Sequence, residues 1–282
     1  MPLIFALLFV FFAAPALAQT PCGSEGPACE TPLGTYRIAL PDSKAPEAGY
    51  PALVFFHGAG GSGARTLTNQ NMVDTFRARG WAVLAPDGLA RPNSRFGPGW
   101  SFNPVREKLR DEAAFLREIV ADAAQRHTVD AERILMSGFS VGGSLVWYLA
   151  CEDATLAKAY APVAGAFWRP HPKVGSCSAP LNLLHTHGWR DRVVPLEGRP
   201  LSGESMQGDV YYGLMLLRDL NGCSEMRADT FNTDGPFWRR VWNACTPGTR
   251  LEFALHTGGH AVPEAWPEMA LDWFAALEAE GL

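Results

Sequence analysis

Three side chains in this sequence could together carry out acyl transfer: a hydroxyl at Ser140, a carboxylate at Asp191 and an imidazole at His260. Ser140 sits in the segment from Ser137 to Gly143, which fits G-x-S-x-G. A run of β-formers, Arg133 to Met136, leads into it, and a helix-like run, Gly142 to Ala150, leads out. In that setting the flanking glycines permit a sharp turn that presents the hydroxyl at the top of a sheet. A serine hydroxyl is a weak nucleophile and needs a neighbouring base. His260, in a Gly-Gly-His loop after a final strand, is expected to be that base and then the general acid. Asp191, directly after another expected strand, is expected to hold the His260 ring and its tautomer.

A fourth fragment agrees. Leu53 to Gly61 reads as a buried strand running into a His-Gly-rich loop. The backbone amides of Ala59 and Val141 are expected to form an oxyanion hole, each supplying ~3 kcal/mol to the transition state. Trp189, Trp100 and Phe102 are expected to line a substrate cleft, with ordinary loop packing as the competing explanation. A zinc site built on His185 and His187 would leave both the serine motif and the His-Gly loop without a purpose. His187 is instead expected to close the strand end by a hydrogen bond beneath Asp191.

These residues need a scaffold, and the chain alternates strand and helix patterns. Strands are expected at 35–40, 52–56, 82–85, 133–136, 156–163, 181–187 and 250–255. Helices are expected at 72–79, 111–127, 142–150, within 202–221, and at 263–277. Such alternation implies an α/β fold with a mostly parallel sheet covered by helices on both faces. The segment between Cys223 and Cys245 shows no clear period and is expected to be a loop excursion near the site. The 282 residues are 47% hydrophobic and 19% charged, which suits one catalytic domain, expected over 33–282. The net charge of −5 and the lack of basic runs exclude a nucleic-acid binder.

Residues 1–18 read as a signal peptide cut after Ala18, although the leading region carries no Lys or Arg; an uncleaved anchor is the alternative. Export to the periplasm or outside the cell follows, with no stable membrane association after cleavage. Residues 19–32 are expected to be an N-terminal tail. The six cysteines all lie beyond the leader, and the local pairs Cys22–Cys29, Cys151–Cys177 and Cys223–Cys245 are expected among the ~15 possible connectivities.

The order Ser, Asp, His is that of an α/β-hydrolase. The chain resembles the secreted polyhydroxybutyrate depolymerases and the related feruloyl and acetyl-xylan esterases. The resemblance is carried by Phe55 to Ala59, Arg133 to Gly143, Leu149 to Cys151, Ala159 to Gly165, His187 to Pro195, and Gly258 to His260. It implies an α/β-hydrolase with Ser140, Asp191 and His260 as a triad, an ester substrate, and no metal or other cofactor. Two positions depart from the pattern: Ala59 stands where many relatives have cysteine, and Trp189 where a small residue is common. A binding protein on a hydrolase scaffold, or a peptidase of the same fold, are the alternatives.

Overall fold

A computed structural model describes residues 22–23, 26–90, 97–201 and 203–281. The expected signal peptide lies outside them. The strands are β1 (Cys29–Thr31), β2 (Gly34–Ala39), β3 (Tyr50–Phe56), β4 (Ala82–Pro86), β5 (Val129–Phe139), β6 (Ala159–Val163), β7 (Trp168–Arg169), β8 (Leu183–Gly188), β9 (Met206–Gln207), β10 (Thr230–Asn232), β11 (Trp238–Trp242) and β12 (Leu251–His256). The helices are α1 (Gly63–Leu67), α2 (Gln70–Ala78), α3 (Glu112–His127), α4 (Val141–Glu152), α5 (Val210–Leu220) and α6 (Trp266–Ala279).

Among the described residues the main sheet has ten strands in the order β1-β2-β4-β3-β5-β6-β8-β12-β11-β10. From β4 to β12 neighbouring strands are parallel, and antiparallel hairpin strands extend both edges. The fold is that of an α/β-hydrolase.

Strand β3 shows why both faces are covered. Ala52, Val54 and Phe56 pack into one core with Phe115 and Ile119 of α3, Trp147 of α4 and Leu217 of α5. Leu53 and Phe55 point the other way, to Phe76 of α2 and Trp266 and Phe274 of α6. Side chains alternate between faces along a strand, so a continuous apolar run requires helices above and below. The helix starts are marked by side-chain caps, with Asp111 accepting from Ala114 N and Asp209 from Tyr211 N.

The two sheet edges differ from expectation. Strand β1 lies within the segment expected to be a tail and pairs with β2, where the Cys22–Cys29 disulfide anchors it. The stretch between Cys223 and Cys245 is not a loop: β10 and β11 form a hairpin that continues the sheet beyond β12. Its alternation is hard to read in the sequence because Trp238, Arg240 and Trp242 share one face of β11, mixing charged and aromatic residues there, and β10 buries none of its three side chains. All three expected disulfides are formed.

Candidate active site

The parallel strands end along one edge, where the loops after β3, β5, β8 and β12 carry Ala59, Ser140, Asp191 and His260. Ser140 joins β5 to α4 with φ 58° and ψ −120°, a backbone conformation costly for a residue with a side chain. The surrounding backbone enforces it. The Ser140 amide donates to Val163 O at 3.0 Å, and its carbonyl accepts from Ser144 N at 2.8 Å. A Cβ on Gly142 would lie 2.1 Å from Phe56 O, so α4 can start against β3 only with glycine there.

Val141 is the first residue of α4, and its amide is one of the donors that helix geometry leaves unpaired. Ala59 lines the same cleft as Ser140 and Val141. The loop carrying Ala59 is held through His57, whose Nδ1–H donates to Gly58 O at 2.7 Å while Nε2 accepts from Gly88 N at 3.0 Å. Burial lowers the His57 pKa, in keeping with this neutral tautomer. Trp100 packs at a tilt against the His57 ring and donates its indole N–H to His57 O at 2.8 Å.

At the other end, the Nδ1–H of His260 donates to Asp191 Oδ2 at 2.7 Å, leaving the lone pair on Nε2. The His260 ring lies 4.6 Å from that of Phe139, the residue before Ser140. Asp191 Oδ1 accepts from Val193 N at 2.8 Å and Val194 N at 2.9 Å. Burial pushes the Asp191 carboxyl up, but the bonds from His260 and the two amides together outweigh it and hold it below the ordinary range. The turn bearing Asp191 is tied to the loop bearing His260 by Trp189 N to His256 O, Arg190 N to Gly258 O and Arg190 Nε to Thr257 O. Gly188 permits this approach, since a Cβ there would meet Gly259 O at 2.2 Å.

His185 and His187, weighed as zinc ligands, are fully buried and committed elsewhere. They contact each other at 2.9 Å, and the remaining ring nitrogens face Pro162 O at 3.1 Å and Val194 O at 2.7 Å. His187 Nε2 also lies 3.5 Å from Asp191 Oδ2, so it does sit beneath that residue. Burial lowers the pKa of both. Among the described residues the group with ligand atoms close enough for a metal is Cys22, Cys29 and His127, and its two sulfurs are joined to each other.

The cleft over Ser140 holds about 180 Å³. Trp100 and Phe102 line it, together with Trp168, Leu201 and Val193. Trp189 does not: it faces a separate cavity on the other side of the Asp191 turn. Its exposed indole meets Trp238 instead. Gln207 escaped the reading of the sequence. It is buried in the cleft wall, and its Oε1 has no partner among the described residues. No local motif marks it, because only the pairing of β7 with β9 brings it there.

Residues 39–207 match the model of the phospholipase/carboxylesterase family, more than half of the chain. The chain belongs to that family. The matched span includes Ala59, Ser140 and Asp191; His260 lies beyond it. Among curated proteins, the chain is 26% identical over 235 residues to feruloyl esterase B of Piromyces equi, covering 79% of this chain and 42% of that protein. It is 23% identical to a probable feruloyl esterase C of Aspergillus niger, covering 80% of this chain and 75% of the relative. The chain thus spans under half the length of the Piromyces protein. Among solved structures, acetyl xylan esterase from Aspergillus awamori superposes with a TM-score of 0.60 at 14% identity, over 86% of this chain and 93% of the other, a likeness of fold.

Proposed function

We propose that this protein is an exported serine esterase that uses Ser140, His260 and Asp191, with oxyanion donors at Ala59 and Val141. The observation that carries the reading is the 2.7 Å His260–Asp191 hydrogen bond on a ring packed 4.6 Å from Phe139, the neighbour of a serine held at φ 58°. It leaves the lone pair of His260 on Nε2, which in this reading meets Ser140 Oγ when substrate is bound.

In this reading Ser140 Oγ attacks the ester carbonyl carbon and its proton passes to His260 Nε2. The carbonyl oxygen, now anionic, is held by the two amides. The C–O bond to the alcohol breaks, and the alcohol leaves with the proton from His260. Water then attacks the acyl-serine, again giving its proton to His260, and the acid departs as Ser140 recovers its proton. Asp191 stays ionised throughout and stabilises the imidazolium.

The relatives named as feruloyl and acetylxylan esterases favour polysaccharide esters as substrates. Trp100, Phe102 and Trp168 suit a flat acyl group. Oligomers of hydroxybutyrate are the competing ester class, carried by the sequence resemblance. Residues 1–18 are taken as an export signal and 33–282 as the catalytic domain; the three disulfides agree with an oxidising compartment.

The deciding experiment is Ser140→Ala, assayed with p-nitrophenyl acetate. Its kcat is expected to fall by about 10³-fold or more with the fold retained by circular dichroism. Activity near that of the parent would reject the mechanism. Methyl ferulate, acetylated xylan and hydroxybutyrate oligomers, compared by kcat/KM, rank the ester classes.

A further inference from the structure

The exposed large aromatic side chains among the described residues are Trp189, Tyr211, Phe231 and Trp238, and they gather in one place. Trp189 and Trp238 meet edge to face with ring centres 6.4 Å apart. Phe231 lies directly across the β10–β11 pair from Arg240, whose guanidinium sits 5.3 Å over its ring. Arg240, Trp189 and Tyr211 in turn wall a single cavity of about 390 Å³, with Trp242 and Phe253 among its other lining residues. An aromatic cluster of this kind, left in water, marks a contact surface.

This surface adjoins the Ser140 cleft. The two concavities share the turn from Gly188 to Pro195, with Val193 lining the cleft and Trp189 lining the second cavity. The Cys223–Cys245 disulfide closes the segment that carries the hairpin, so the aromatic rim stands on a braced element.

The charges around the cavity narrow the occupant. Arg218 is engaged by Asp219 at 2.7 Å, and Arg239 by Glu252. Burial first, then Glu197 and Asp209, push the Tyr211 hydroxyl up, and Arg240 opposes them. Arg240 has the Phe231 ring as its partner and forms no ion pair with a described residue. Covering this surface with a neutral polyester would desolvate Arg240 without supplying an anion, which is unfavourable. A single aromatic acid could fill the cavity but would leave Phe231 and Trp238 uncovered on the rim. A sugar chain bearing carboxylates meets both demands, with flat sugar faces on the indole and phenol rings and a carboxylate for the guanidinium.

We propose that this cavity and its aromatic rim bind a uronate-bearing polysaccharide chain, with the carboxylate on Arg240 and sugar faces on Trp189, Tyr211 and Trp238. The inference rests on the proposed esterase function in one respect, that the chain held here carries the ester presented to Ser140.

The test is calorimetric titration of the whole protein with a glucuronate-bearing xylo-oligosaccharide and with a neutral one of equal length, neither carrying an ester. The acidic ligand is expected to bind about tenfold more tightly, an advantage lost at high salt. Arg240→Gln should abolish that advantage and Arg240→Lys should keep part of it, while Trp189→Ala should weaken both ligands. Equal affinities, no binding, or an acidic preference unchanged in Arg240→Gln would overturn the proposal, as would adsorption to polyester particles or dimerisation in place of sugar binding. If a variant fails to fold, the acidic-to-neutral ratio of the unmodified protein and its salt dependence still decide. Hydrolysis of p-nitrophenyl acetate by the unmodified protein tests the esterase reading separately: sugar binding without hydrolysis would sink that reading alone, and hydrolysis without binding would sink this one.

Discussion

The serine end and the acid end of the candidate site reach their geometry by different means. Around Ser140 the determinants are main-chain atoms: a positive φ, two backbone hydrogen bonds, and Gly142 pressed against Phe56 O. Around Asp191 main-chain bonds between two loops are joined by a network of ionisable side chains. His260 donates to one carboxylate oxygen, two amides donate to the other, and the buried pair His185 and His187 lies beneath. Main-chain packing responds to added volume and is indifferent to pH. A network of imidazoles and a carboxylate responds to protonation and to the loss of a single acceptor.

Substituting Asp191→Asn is the sharpest way to probe the acid end. Asparagine keeps the shape, but with its oxygen on the Val193 and Val194 amides it turns an N–H toward His260 and favours the wrong imidazole tautomer. A fall of about 10⁴-fold in kcat is expected, with little change in thermal midpoint. A loss of less than tenfold would mean that the carboxylate does not orient His260.

At the serine end, Gly142→Ala is expected to act on stability. The new methyl would overlap Phe56 O and lie 2.6 Å from His57 O, both backbone atoms of β3 and its loop. The cost should be about 3 kcal/mol or more, read from urea unfolding, or the protein should fail to accumulate in folded form. A variant as stable as the parent would show that the elbow is not held by packing.

The smallest effect separates the ends by pH. His57, His185, His187 and His256 are held below the ordinary imidazole pKa, in each case first by burial. The unfolded chain therefore takes up protons before the folded one does. Their contribution is complete above about pH 6.5 and is lost as pH falls through that value. Asp87 beside His57, and Asp191 beside His187 and His256, favour the protonated form and moderate the loss. Asp191, held low, withdraws its own contribution only in much stronger acid, as pH falls through its folded-state value. Scanning calorimetry at pH 7.5 and 5.5 should show a midpoint lower by a few degrees at pH 5.5, the scale of ~1 kcal/mol in a domain of this size. An unchanged midpoint would argue that the histidines contribute no such linkage.

Much of the site was legible because each member stands at a strand end with its own local mark. Ser140 is framed by glycines, His260 follows Gly258 and Gly259, and Asp191 follows the apolar run of β8. The disulfides were legible because each joins cysteines close in sequence. The hairpin from Thr230 to Trp242 was not, since Phe231 and Trp238 remain exposed on it and blur the two-residue period. Which cavity Trp189 lines was not legible, because nearness in sequence to Asp191 does not specify which way a turn faces its side chain.

By itself the amino-acid order determined which runs could be buried strands, where the chain must turn sharply, and which residue types follow those turns. These follow from periodicity and backbone freedom, which act over a few neighbouring residues. Tertiary structure alone decided that Gln207 would face the Ser140 cleft, that Asp191 and His260 would meet at 2.7 Å, and that the four exposed aromatics would share one rim. Those contacts join residues far apart in the chain, and strand order, hydrogen bonds between loops and the packing of the two helical layers bring them together.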